Sequence, residues 1–374
     1  MESIKKKFLL LAMMVLVLGM AVAAASAASN VNVAIDGNPI SIAAAYGTPY
    51  VDSANRTMVP IRVVSENLGA KVAWDQSTQT AVINGSIKIK LGSKTIQTSY
   101  GQITMDTTAV AKDSRIYIPF RFIGHALGYD VTWTGSTNTA NIVTKSDLTI
   151  SAAASLKNAL EEVKAMYLQD KPNAQVAITY GGSGALQQQI EQGAPVDLFL
   201  SAAASNMNTL KKEELVDSNT IKNLLQNKVV MIVPSDSTLN ISSFKDVTNS
   251  SIKYLALGEP TTVPAGKYAV QVFTYYNLLD QAKAKAVYQK DVTSVLTTVA
   301  CGNADAGVVY STDAASSANV KVITTAPEDS HDPVTYPGAV VKSTKQPVAS
   351  QDFLNFLTSD KAKAVFVKYG FTVL

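Results

Sequence analysis

Four short stretches place small or hydroxyl-bearing residues where helices are expected to start: Ala152-Ala153-Ala154-Ser155, Gly181-Gly182-Ser183-Gly184, Val263-Pro264-Ala265-Gly266 and Asp291-Val292-Thr293. A helix start leaves N–H groups without intrahelical acceptors and carries a partial positive charge. Several such starts brought to one place can hold an anion with no lysine or arginine. The chemistry on offer is therefore capture of an oxyanion by neutral donors.

The elements that must aim these donors are legible in the spacing. After Ser155, Leu156, Ala159, Leu160 and Val163 recur at i, i+3, i+4 and i+7, the stripe of an amphipathic helix. Ser155 falls at the expected N-cap, where its hydroxyl either caps the helix or faces a ligand at the end of the preceding strand. Gly181 to Gly184 follows a second strand pattern, and its glycines either let amides approach a ligand closely or make a flexible loop. Pro264 opens a third helix in which the small Ala265 leaves its N–H accessible, and Val292, Val295, Leu296 and Val299 mark a fourth. Strand-like and helix-like segments alternate over 148–152, 156–168, 175–180, 185–191 and 197–201, which favours a parallel α/β sheet.

Composition bounds the rest. The chain has 374 residues, 47% hydrophobic and 16% charged, long enough for two or three domains with substantial cores. Lys5, Lys6 and Lys7, an apolar run over 8–22 and Ala25-Ser26-Ala27 read as a secretory signal over 1–27, so the mature protein is expected to be exported. Removing it takes away those lysines and Glu2, so Lys+Arg falls from 32 to 29, Asp+Glu from 29 to 28, and the net charge from +3 to +1. So even a balance excludes a global pull on nucleic acid, and any anion preference must be local. Cys301 is the only cysteine, which excludes an internal disulfide and lies far from the N-terminus where a lipid would be attached. His125 and His331 have no cysteine neighbours and do not make a zinc site.

Residues 56–83 match residues 115–142 at a shift of 59 positions, with Arg56/Arg115, Pro60/Pro119, Arg62/Arg121, Leu68/Leu127, Gly69/Gly128, Trp74/Trp133 and Ala81/Ala140 coincident. In each copy the proline opens a helix, the glycine closes it and a strand hairpin follows. Residues 29–145 should form a small α+β domain of two similar halves. The P-x-R, L-G and W marks resemble the domain at the N-terminus of copper amine oxidases, which also serves as a stalk on exported bacterial proteins. No histidine cluster accompanies it, so neither copper nor amine oxidation is implied. Its role is either attachment, to cell-wall polymer or to a partner, or that of a spacer. Arg62 and Arg121 with Trp74 and Trp133 could stack on a polymer, or could lock each helix to its hairpin.

Downstream, Ser151-Ala-Ala-Ala-Ser155-Leu156, Gln192-Gly-Ala-Pro-Val-Asp-Leu-Phe199, Val263-Pro-Ala-Gly266, Gly307-Val-Val-Tyr310, Pro327-Glu-Asp-Ser-His331 and Lys368-Tyr-Gly-Phe371 together resemble the molybdate-binding component of ABC importers. The resemblance covers 147–374. It implies a two-lobed α/β periplasmic-binding-protein fold of type II, with lobe one at 147–230 and 335–374 and lobe two at 231–334. It also implies an oxyanion site in which Ser155 and Ser183 donate from one lobe, Ala265 and Val292 give backbone N–H groups from the other, and Tyr310 closes the shell. The ligand would be molybdate or tungstate and the partner an ABC permease; no cofactor and no catalysis are implied. Gly182 and Gly184 depart from the hydroxyl residues that relatives often carry there.

Two rivals remain. An envelope-attached adhesin or structural protein would keep the receptor fold without a ligand. A serine hydrolase would use Ser183, since Gly181-Gly182-Ser183-Gly184-Ala185 nearly fits a nucleophile elbow and His331 lies downstream.

Overall fold

The computed structural model describes residues 31–374, so the expected signal at 1–27 lies outside the described residues. Contacts divide the chain into two units, one comprising residues through Leu127 with Val131–Val143, the other Gly128–Asp130 with Thr144–Leu374.

In the N-terminal unit the two halves of the repeat meet through equivalent strands. Thr57–Pro60 pairs antiparallel with Arg115–Pro119, Val59 opposite Ile118, and each strand runs into a seven-residue helix, Ile61–Asn67 or Phe120–Ala126. Pro60 and Pro119 stand at the helix N-caps. Gly69 and Gly128 follow the helices with φ of +77° and +75°, a left-handed turn that a side chain would strain. The halves then diverge. The first hairpin, Val72–Asp75 with Thr80–Ile83, continues into an antiparallel meander through Ile87–Lys90, Thr95–Thr98 and Gly101–Thr104, while the second ends on Thr139–Val143, which pairs in parallel with Asn32–Ile35. Val59, Val64, Ile83, Ile89, Ile118, Ile123 and Ile142 are fully or almost fully buried and form the interior.

The expected pairing of arginine with tryptophan does not occur. Arg62 does tie its helix to the hairpin, but through the Val72 carbonyl at 2.7 Å, and Arg121 turns to Asp106, which also holds Arg56. Trp74 donates to Gln76, and Trp74 and Trp133 remain 38% and 54% exposed. Backbone carbonyls and one shared carboxylate take the guanidinium N–H groups, and the ring that Arg121 does cover is that of Phe122, 4.9 Å to its centroid, and not a tryptophan.

Among the described residues, the C-terminal unit contains two sheets. The six-stranded sheet runs in the order Ala174–Gly181, Ser146–Ala153, Leu198–Leu200, Thr335–Val340, Lys222–Gln226, Thr372–Val373. The five-stranded sheet runs Ala286–Gln289, Leu255–Gly258, Ala306–Tyr310, Val229–Pro234, Val320–Thr325. The expected parallel arrangement holds only for the first three strands of each. Thr335–Val340 is antiparallel to both neighbours in the first sheet, as is Val229–Pro234 in the second. Both are the strands that follow a passage from one sheet to the other, and a chain arriving from the opposite lobe enters in the reverse direction. The passages fall at 227–228 and 326–334, so the second sheet begins at Val229, and Asn227 N–H donates to the Val334 carbonyl at 3.1 Å, joining the two crossings.

Helices cover both sheets, and their first turns lie at the carboxyl ends of the parallel strands: Ala154–Leu156 leading into Lys157–Asp170, Ser183–Glu191, Pro264–Tyr275 and Val292–Ala300. Helix Pro264–Tyr275 rests directly on its strand, because a Cβ at Gly266 would strike the Gly258 carbonyl. Replacing Gly266 by Ala should therefore destabilise the second lobe by about 1–3 kcal/mol or more, as overpacking does. Chemical denaturation monitored by circular dichroism checks this; an unchanged midpoint would mean that the helix is free to shift.

Candidate anion-binding site

The strand ends and helix starts bring five residues expected from the sequence to one place. Ser155, Ser183, Ala265, Val292 and Tyr310 all line a single narrow recess between the two lobes of the C-terminal unit, and no charged residue lines it. Ser155 and Ser183 come from the first lobe, the other three from the second.

Each of the first four lies in the first turn of its element, where no intrahelical acceptor exists. None of their N–H groups donates to another backbone acceptor among the described residues. At the helix carrying Val292, the Asp291 side chain takes the N–H of Ser294 at 2.7 Å and its carbonyl that of Val295 at 3.2 Å, so the cap reaches past Val292 and leaves its donor available.

The hydroxyls are oriented by protein partners. Ser183, fully buried, accepts the N–H of Ala202 at 3.0 Å, which occupies a lone pair and turns its proton elsewhere. Ser155 does not cap its helix. It lies inside a 3₁₀ turn whose following helix has Leu156 at its N-cap, and its Oγ sits 3.0 Å from the hydroxyl of Tyr336. Tyr310 is 1% exposed and its hydroxyl meets no hydrogen-bonding group of the protein. A buried phenol of this kind costs roughly 1–3 kcal/mol unless something satisfies it. Burial also holds the hydroxyls of Tyr310 and Tyr336 well above the usual phenol range, so both remain protonated and able to donate.

The glycines act differently from the expectation. Gly184 gives its N–H to the Thr262 carbonyl on the opposite lobe at 2.8 Å, so it is not free for a ligand. A Cβ at Gly184 would lie 2.7 Å from Thr262 Cα, and one at Gly182 would lie 2.8 Å from the Thr262 carbonyl and 3.0 Å from that of Lys290. These residues lack side chains because backbone from the two lobes meets there.

Several motif residues turn out to hold the frame. Asp197 takes the Thr149 N–H at 2.8 Å and binds neighbouring strands together, and Ser330 bonds back to Pro327 within the second crossing. His331 contacts the Asp332 carbonyl through Nδ1 and packs edge-on to Tyr268, and no hydrogen bond joins it to Ser183. The sequence reading missed Asn227, Thr262, Asp313 and Tyr336; no spacing rule marks Asn227, Thr262 and Tyr336, which act on residues far away in the chain, whereas Asp313 sits only three residues after Tyr310, at N3 of the helix that Tyr310 caps, a local signal that could have found it. Asp313 is buried beside Tyr310, whose N–H it accepts at 3.2 Å, and burial pushes its carboxyl up to about 7.

With this geometry in place, comparison with known proteins identifies the class. Residues 148–372 match the model for bacterial extracellular solute-binding proteins, more than half of the chain, and the protein belongs to that family. Residues 34–142 match the copper amine oxidase N-terminal domain. The chain is 43% identical over 228 residues to YvgL of Bacillus subtilis, named as an ABC transporter substrate-binding lipoprotein, covering 61% of this chain and 87% of that one. It is 40% identical to the molybdate-binding protein ModA of Haemophilus influenzae, covering 60% of this chain and 89% of that one. The structure of the periplasmic molybdate-binding protein of Azotobacter vinelandii shares the fold, with a TM-score of 0.55 at 23% identity over 61% of this chain and 99% of that one. The protein is thus a ModA-like, extracytoplasmic solute-binding protein of α/β fold with a small N-terminal domain.

Two predictions follow from the packing. Gly184→Ala should separate the lobes at Thr262 and weaken capture of any ligand held between them by about tenfold or more, with little change in the unliganded protein's melting temperature; calorimetry beside thermal melts would separate these effects. Because the folded protein holds the Asp313 proton more tightly than the unfolded chain does, this group favours folding below about pH 4, and its contribution is lost as the pH rises towards 7. Asp313→Asn should flatten that part of the stability–pH profile in denaturant titrations.

Proposed function

We propose that this chain is the receptor that captures molybdate, and tungstate as well, and hands it to the permease of an ABC importer, with Ser155, Ser183, Ala265, Val292 and Tyr310 as the donor shell. The observation that carries the reading is the buried Tyr310 hydroxyl, without a protein partner, in the same uncharged recess as four unpaired helix-start amides and two oriented serines. A tetrahedral dianion satisfies all of these donors at once. Each charge-assisted bond contributes about 1.5–3 kcal/mol, and five or more reach the roughly 8 kcal/mol of a micromolar complex after association costs.

Selectivity then has two sources. Donors set for long metal–oxygen bonds are stretched around the smaller sulfate. Phosphate near neutral pH keeps a proton, for which an all-donor shell has no acceptor. The relatives named for molybdate binding support the ligand class, and the two crossings at 227–228 and 326–334 supply the hinge for closure.

Titration calorimetry of the mature protein should show molybdate and tungstate binding at least about tenfold more tightly than sulfate or phosphate. Ser155→Ala, Ser183→Ala and Tyr310→Phe should each weaken molybdate by about tenfold or more. Tyr310→Phe should do so without lowering the melting temperature, because its hydroxyl supports no protein contact. Sulfate held as firmly as molybdate, or three variants with unaltered affinity, would remove the proposal.

A further inference from the structure

The Ser155 hydroxyl can present either a proton or a lone pair to a ligand, and its own contact does not decide which, because either oxygen of the Ser155–Tyr336 pair can be the donor. The decision lies further back, at the first crossing between lobes. The N–H of Lys228 donates to Asn227 Oδ1 at 2.9 Å. A backbone N–H cannot accept, so that atom is the oxygen, and the opposite end of the amide is the NH₂ group. The Ser311 hydroxyl donates to the same Oδ1 at 2.9 Å. Asn227 Nδ2 therefore has protons only to give, and it gives them to Thr312 Oγ1 at 2.8 Å and to the Tyr336 hydroxyl at 3.2 Å.

Tyr336, 1% exposed and held protonated by burial, thus receives a hydrogen bond from Asn227 and must send its own proton to Ser155, its other hydrogen-bond partner. Ser155, receiving that proton, turns its own into the recess. The whole chain is fixed in one direction, from the Lys228 amide at the crossing to the ligand face.

We infer that Asn227 is a positioning and specificity-determining residue: through Tyr336 it sets Ser155 as an obligate donor, so that the site favours fully deprotonated tetrahedral dianions over those that carry a proton. The inference rests on the donor-shell reading of the recess and adds what keeps one member of that shell from reversing. It also links this choice to the hinge, since Asn227 reaches Ser311 and Thr312 on the second lobe and Tyr336 on the first, and its N–H ties the two crossings at Val334.

Asn227→Asp tests it with almost no change in shape. The carboxylate oxygen in place of the NH₂ group can only accept, so Tyr336 donates backwards, Ser155 donates to Tyr336, and a lone pair faces the ligand. The probes are molybdate, and inorganic phosphate at mildly alkaline pH where it is the singly protonated dianion, each titrated calorimetrically into wild type and variant. The added negative charge weakens two dianions alike, whereas the reversal weakens molybdate and gives the phosphate proton an acceptor. The ratio of phosphate to molybdate dissociation constants should fall by about tenfold or more, the worth of one charge-assisted hydrogen bond.

Tyr336→Phe, which cuts the relay without adding charge, should move the ratio in the same direction by a smaller factor, and it carries the test if Asn227→Asp does not fold. Equal losses for both anions, or no loss, in a folded variant would reduce Asn227 to a structural hinge residue and overturn the inference. Failure of wild type to bind molybdate is a different result: it would overturn the reading of the recess, and this inference with it.

Discussion

A recess that must satisfy charge without charge depends on hydrogens being turned inward and kept there. Amides at helix starts meet this condition by geometry alone, since their carbonyls point the other way along the helix. Hydroxyls do not, because each is donor and acceptor at once. The structure spends buried contacts on resolving that ambiguity: the Ala202 amide fills a lone pair of Ser183, and Tyr336 backed by Asn227 does the same for Ser155. Tyr310 is the exception, a hydroxyl left open within the interior.

The architecture follows from having to bring such donors together from both sides. Strands in each lobe end at the same recess, and every helix that begins there adds its first turn to the wall. The two lobes are drawn into register by backbone as much as by side chains, with Thr262 and Lys290 packed against glycines 182 and 184. Gly266 brings a second close contact, seating its helix on the strand so that Ala265 stands at the rim. Sites of this kind tolerate side-chain changes poorly because the space was used for main chain.

Much of this was legible in the sequence because it is local. Apolar spacing placed the helices, proline and glycine marked their ends, and the repeat at a shift of 59 gave the halves of the first domain. The convergence of Ser155, Ser183, Ala265, Val292 and Tyr310 came through a resemblance in motifs, since no periodicity brings together residues more than 150 positions apart. What stayed hidden is what depends on distant partners. Ser155 looked like a cap until Tyr336, 181 residues later, was seen beside it. The glycine run looked like room for a ligand and proved to be room for loop backbone of the opposite lobe. Trp74 and Trp133 looked like half of an arginine pair, but Arg62 and Arg121 found oxygen acceptors instead.

The contact between Gly184 and Thr262 has one more consequence. Its donor belongs to one lobe and its acceptor to the other, so this amide is shielded only while the halves touch. Every excursion that parts them must hand its hydrogen to water, and the rate at which that single position takes up deuterium becomes a clock for the breathing of the whole receptor.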